Sequence, residues 1–127
     1  MLLTKVPSYF KARRDRLMKE NPDSVFIFPA HPDYIRNSDV HHPYRQDSSL
    51  YYLTGFDEPE SCLVLAPSKS KPGTYRTILF VLPRDPEREM WDGPRYGMDG
   101  AQAVFGAHEA YPIAELDQTL SRFLLQI

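Results

Sequence analysis

Four histidines and a single cysteine are the side chains in this sequence that could hold a transition metal. His41 and His42 are adjacent, so in an extended segment their side chains point to opposite faces and make a poor chelating pair. The sequence contains no His-Glu-x-x-His motif, no second cysteine and no aspartate-rich calcium loop. We therefore predict no metal site in this chain, and histidines that lie on the surface or in loops: His31, His41, His42 and His108.

The candidate nucleophiles stand in unfavourable surroundings. Cys62 lies within an apolar segment, where a free cysteine is usually a small buried residue with a raised pKa. No serine stands in a Gly-x-Ser-x-Gly elbow, and the glycines form no phosphate-binding loop. Carboxylates cluster at 57–60 and 85–89, where we expect them to form turns and to place negative charge at helix N-termini. The residues by themselves predict no catalytic site.

Apolar periodicity predicts the elements on which these side chains lie. A helix is predicted over 7–20, with Phe10, Leu17 and Met18 on one face and the basic residues on a solvated face. The segment 24–29 is short, aromatic and β-branched, which predicts a strand buried on both faces. Two more strands joined by a turn at 67–74, and then three helices, are predicted over 60–66 and 75–82, and over 86–90, 99–105 and 113–127. This order predicts an α/β fold, a mixed β-sheet flanked by helices.

Composition excludes several classes of protein. The 127 residues fit one domain, and 15 Lys and Arg against 17 Asp and Glu give a net charge of −2. Nucleic acid and anionic membrane surfaces are therefore not expected as partners. With one cysteine, no signal peptide and no apolar run near the roughly twenty residues of a membrane span, we predict a cytoplasmic protein. The last predicted helix is still apolar at Ile127, which suggests a piece of a longer protein.

One stretch of the sequence is far more specific than any of these motifs. Residues 42–61 read HPYRQDSSLYYLTGFDEPES. They closely resemble the signature of the amino-terminal domain of Xaa-Pro aminopeptidases (aminopeptidase P), in the creatinase/prolidase superfamily. Segments at 13–14, 25–28, 36–39 and 89–93 follow the expected order, so the resemblance covers essentially the whole chain. Locally, Asp47 can cap a short helix and Gly55 can supply the turn after it, which favours a structural corner over a catalytic loop.

The resemblance implies a ribonuclease-H-like fold and an N-terminal, non-catalytic domain over 1–127. Members of the family carry a second, carboxy-terminal "pita-bread" domain, absent here, in which two Asp, one His and two Glu hold two divalent ions, typically manganese. The parent protein would then release an N-terminal residue that precedes proline. This chain would hold no catalytic residue and no metal, and we expect it to be inactive alone.

The same resemblance implies partners and two site residues. The domain would pack against its own catalytic domain, support a dimer or tetramer, and limit access to the substrate cleft. Trp91 and Asp39 match family residues that approach an active site, commonly that of a neighbouring subunit, and would bind the peptide substrate there. Core packing for Trp91 and a turn for Asp39 are the structural alternatives. For the whole protein, an Xaa-Pro dipeptidase (prolidase) or a free-standing, non-catalytic interaction module remain the alternatives.

Overall fold

The structure is a computed structural model that describes residues 5–30 and 46–124. Strands and helices alternate irregularly along the described chain. In order they are α1 (Tyr9–Glu20), β1 (Phe26–Pro29), α2 (Ser48–Thr54), β2 (Cys62–Pro67), β3 (Tyr75–Val81), α3 (Pro86–Asp92), α4 (Gly97–Ala103), β4 (Glu109–Pro112), a 3-10 turn (Ile113–Glu115) and α5 (Leu116–Leu124). None of the helices in the described part of the chain has the length and apolar content that crossing a bilayer requires.

The strands form one sheet in the order β1-β2-β3-β4. β1 and β2 are antiparallel, as are β2 and β3, whereas β3 and β4 run parallel. The turn at 68–74 closes the β2–β3 hairpin, while α3 and α4 lie on the longer crossover from β3 to β4. The predicted mixed sheet flanked by helices is therefore confirmed.

Alternate residues of the two central strands feed two cores. Leu63 and Leu79 face the larger core, which α1, α2 and α4 cover. Val64 and Ile78 face the smaller core on the other side of the sheet, which Leu116 and Leu120 of α5 help to cover. The strands predicted at 60–66 and 75–82 are confirmed, within two residues at each end, as the buried centre of the fold.

The outer strands differ from their prediction. β1 was expected to be buried on both faces, but it lies at the edge of the sheet and alternates between half-buried and exposed residues, with Ile27 exposed. No strand was expected over Glu109–Pro112, because this segment has neither an apolar run nor a clear alternation. It pairs with β3 because the crossover brings it alongside, not because its own pattern favours a strand.

The basic face of α1 also differs from its prediction. Arg14 was expected in solvent, yet it is only 3% exposed, and its Nη1 donates to the carbonyl of Leu53 at 2.8 Å. The reason is its spacing, four residues after Phe10 and four before Met18, which places it on the buried face of the helix. Among the histidines, His108 lies exposed after α4, as expected, and the other three lie outside the described residues.

Candidate functional site

The signature stretch folds into a corner built around α2. The side chain of Asp47 accepts the backbone N–H of Leu50 at 3.0 Å and so caps the helix N-terminus. Gly55 ends the helix in the left-handed conformation, with φ of +74°, and its N–H donates to the carbonyl of Tyr51 at 2.8 Å. Both local predictions are confirmed.

Gln46 fastens the two ends of this corner together. Its buried Nε2 donates to the carbonyls of Phe56 and Glu58, at 3.3 and 3.0 Å, and its Oε1 accepts the N–H of Asp47 at 2.9 Å. Ser61 donates to the same Glu58 carbonyl at 2.9 Å. The polar side chains named here all serve the backbone, which supports the structural interpretation of the signature over a catalytic one.

Glu58 reaches from this corner to the segment after α3. Its Oε2 accepts the backbone N–H of Tyr96 at 3.0 Å, whereas its Oε1 is buried without a hydrogen-bond partner among the described residues. Burial raises the pKa of Glu58, and the negative charges of Asp57 and Glu89 add to this, against the N–H of Tyr96 and the charge of Arg95. This carboxylate is thus held in place at a cost in solvation.

Helix α3 begins at a capped residue and is tied at both ends by one side chain. Asp85 accepts the N–H of Glu87 at 3.2 Å, as expected of a carboxylate at a helix N-terminus. Glu89 accepts the N–H of Asp85, before the helix, and that of Arg95, after it, each at 2.9 Å. The guanidinium of Arg84 also donates to it. These donors, the N–H of Arg95 foremost, lower the pKa of Glu89.

The last turn of α3 presents the largest exposed apolar surface of the helix. Trp91 is 87% exposed and Met90 is 83% exposed, so the alternative that Trp91 packs in the core is wrong. Gly93 follows at φ of +94° and donates its N–H to the carbonyl of Glu89 at 3.0 Å. Asp39, the other predicted site residue, lies outside the described residues, so the structure brings no second predicted residue to Trp91.

Sequence reasoning found Trp91 but missed the carboxylates that surround its helix. Glu58 and Glu89 were expected only to form turns or to supply charge, whereas each binds backbone N–H groups distant in sequence or outside its own helix. For Glu89 a signal existed, because a Glu four residues after a capping Asp resembles a capping box displaced by one position. For Glu58 there was none, since Tyr96 lies 38 residues away.

The described residues offer no chemistry of their own. Within 5–30 and 46–124, no three side chains of His, Cys, Asp or Glu lie together in a way that could hold a metal ion. A two-metal centre of the kind that the family resemblance implies therefore does not fit on this part of the chain. Burial raises the pKa of the Cys62 thiol to about 11, which leaves it a poor nucleophile, as expected.

Comparison with known proteins identifies the family. Human Xaa-Pro aminopeptidase 3 is 39% identical to this chain over 124 residues, which cover 89% of this chain and 24% of that protein. The structure of Pseudomonas aeruginosa aminopeptidase PepP is 48% identical, with a TM-score of 0.76, over 93% of this chain and 26% of that chain.

Escherichia coli aminopeptidase P, solved as a variant in complex with substrate, is 36% identical, with a TM-score of 0.81, over 93% of this chain and 27% of that chain. A zinc-substituted form of the same enzyme has been solved with product. The chain thus spans about a quarter of the length of these relatives. Residues 10–126 match the family described as "Aminopeptidase P, N-terminal domain", and this chain belongs to that family.

Proposed function

We propose that this chain is the N-terminal domain of a longer Xaa-Pro aminopeptidase, a cytoplasmic enzyme that releases an N-terminal residue preceding proline. Two findings support this proposal. The relatives named above are called Xaa-Pro aminopeptidases, and this chain corresponds to about a quarter of their length. Their names also favour an aminopeptidase over the dipeptidase alternative. A free-standing module is disfavoured by the same likeness to larger enzymes.

The chemistry would then take place in a catalytic domain outside this chain. That domain would hold the two divalent ions, manganese by family resemblance, which activate a water molecule and polarise the scissile carbonyl. The zinc-substituted relative supports metal dependence without indicating which metal this protein uses. The described residues contribute shape and contacts and hold no metal cluster themselves.

The contribution of this domain would be to limit and line the substrate cleft, and Trp91 carries this part of the proposal. A tryptophan that is 87% exposed, beside an exposed methionine, is uncommon unless a partner surface covers it. Aromatic side chains of this size are typical anchors of interfaces. In a dimer or tetramer, Trp91 would contact the peptide in the cleft of a neighbouring subunit, together with Asp39.

Replacement of Trp91 by alanine in the full-length enzyme tests this role. Because the side chain is almost fully exposed in this domain, Trp91→Ala should change the free energy of unfolding by less than about 1 kcal/mol. It should lower kcat/KM for an Xaa-Pro peptide by about ten-fold or more, if the indole contacts the substrate. Steady-state kinetics and urea unfolding measure the two effects.

Arg88→Ala is the matched control, because it shortens another exposed side chain of the same helix. This variant should retain full activity and stability. If Trp91→Ala lowers stability and leaves kcat/KM unchanged, the indole has only a structural role and the proposal for Trp91 fails.

A further inference from the structure

Helix α3 has no hydrophobic anchor among the side chains that the structure describes. Pro86, Glu87, Arg88, Met90 and Trp91 are all exposed. The inward-facing side chain is that of Glu89, which is 9% exposed. A helix of seven residues is unstable on its own, because few backbone hydrogen bonds repay its nucleation. The direction in which α3 points must therefore be fixed by polar contacts at its ends.

Two carboxylates meet at the segment that follows the helix, and they bind consecutive backbone N–H groups. Glu89 accepts the N–H of Arg95 at 2.9 Å, and Glu58 accepts the N–H of Tyr96 at 3.0 Å. Hydrogen bonds from an N–H to a charged acceptor are among the stronger ones in proteins. The first ties this segment to α3 itself, and the second ties it to the corner after α2.

The ring of Tyr96 completes the attachment to the core. It meets Phe105 edge to face, with centroids 4.7 Å apart, and Phe105 meets Phe56 of the corner in the same way at 5.0 Å. The segment is thus fixed on the core side, and Glu89 transmits this position to α3.

We infer that Glu58 and Glu89 are positioning residues that hold α3, and with it Trp91, in a fixed direction by binding the N–H groups of Tyr96 and Arg95. The consequence for peptide cleavage rests on the proposed function, whereas the consequence for Trp91 itself can be measured on this chain alone. Trp91 is the only tryptophan in the sequence, so its fluorescence reports the motion of α3 without a label.

The test combines amide hydrogen exchange with the time-resolved fluorescence anisotropy of Trp91. In Glu58→Ala, the Tyr96 amide should lose protection by about ten-fold or more, and in Glu89→Ala the Arg95 amide should do so. In both variants the fast, nanosecond component of the anisotropy decay should grow, because the helix moves more freely. Glu87→Ala, an exposed carboxylate on the same helix, should change neither signal.

Conservative variants separate positioning from general stability. Glu58→Gln keeps an oxygen that can accept the Tyr96 N–H and should restore both the amide protection and the slow decay of Trp91. If Glu58→Ala does not fold, Glu58→Asp keeps the charge but is one methylene too short, and the same losses are expected. Unchanged anisotropy in variants that lose amide protection would overturn the inference. This test needs no catalysis, so its failure is distinct from a failure of the proposed function.

Discussion

Gly55 occupies a position where both the backbone conformation and the surroundings exclude a side chain. Its φ of +74° is a left-handed conformation, which costs an L-residue about 1–2 kcal/mol. A β-carbon there would lie 2.8 Å from Cε2 and Cζ of the buried Phe10 ring. We expect Gly55→Ala to lower the free energy of unfolding by about 2–4 kcal/mol, the sum of strain and overpacking, as measured by urea unfolding.

Gly73 provides the matched control for this substitution. It has a similar φ of +86°, but a β-carbon there would meet nothing within 4 Å. Gly73→Ala should therefore show only the backbone strain, about 1–2 kcal/mol. Equal losses in the two variants would mean that the contact between Phe10 and Gly55 contributes nothing to stability.

Individual residues could be predicted from the sequence where their effect is local. The cap by Asp47, the turn at Gly55 and the buried thiol of Cys62 follow from neighbours in the chain, and each is confirmed. Arg14 and Glu58 could not be predicted, because their partners lie at Leu53 and Tyr96, about 40 residues away. A charged side chain can be placed in the interior only once the fold supplies such an acceptor.

At the scale of elements, a polar contact joins β4 to β3. Both Arg76 Nε and Nη2 donate to the carboxylate of Glu109, Nη2 at 2.7 Å, and the hydroxyl of Tyr111 donates to it at 2.6 Å. The guanidinium of Arg76 is the main reason that the pKa of Glu109 lies below its usual value, with Tyr111 adding to the effect. The contact is partly exposed, so its net contribution is modest.

This contact predicts a pH dependence of stability. The pKa of Glu109 is lower in the folded state, so its stabilisation is complete above the unfolded value of 4.5 and is lost as the pH falls through the folded value. Glu109→Gln should cost less than about 1 kcal/mol near neutral pH, and this difference from wild type should vanish in acid. Urea unfolding at several pH values measures it. Glu87→Gln is the control, and a pH-independent difference for Glu109→Gln would contradict the prediction.

Elements were predictable where burial writes a clear pattern into the sequence. β2 and β3 are buried on both faces and appear as apolar runs. β1 is equally apolar but lies at an edge, and position within a sheet is not encoded in the strand's own residues. β4 is a strand because β3 offers it a pairing edge, and that edge exists only after the crossover through α3 and α4 has formed.

At the scale of the whole molecule, the signature at 42–61 carried more information than all the single motifs together. The fold class and the family it implied are confirmed by the sheet topology and by the family match over 10–126. The site could be predicted only in part. Trp91 was identified, and its exposure makes it available to a partner, but what it contacts is decided by surfaces that belong to other parts of a larger assembly.

The last prediction concerns this chain without such partners. Peptide hydrolysis at an Xaa-Pro bond by this mechanism requires a metal-activated water, and the described residues group no three ligands for a metal. Incubated with manganese and an Xaa-Pro peptide, the 127-residue chain should therefore release no N-terminal residue, as followed by chromatography of the products. Full-length Escherichia coli aminopeptidase P under the same conditions is the positive control. Manganese-dependent cleavage that co-purifies with this chain would contradict both the expectation of an inactive domain and the placement of catalysis outside it.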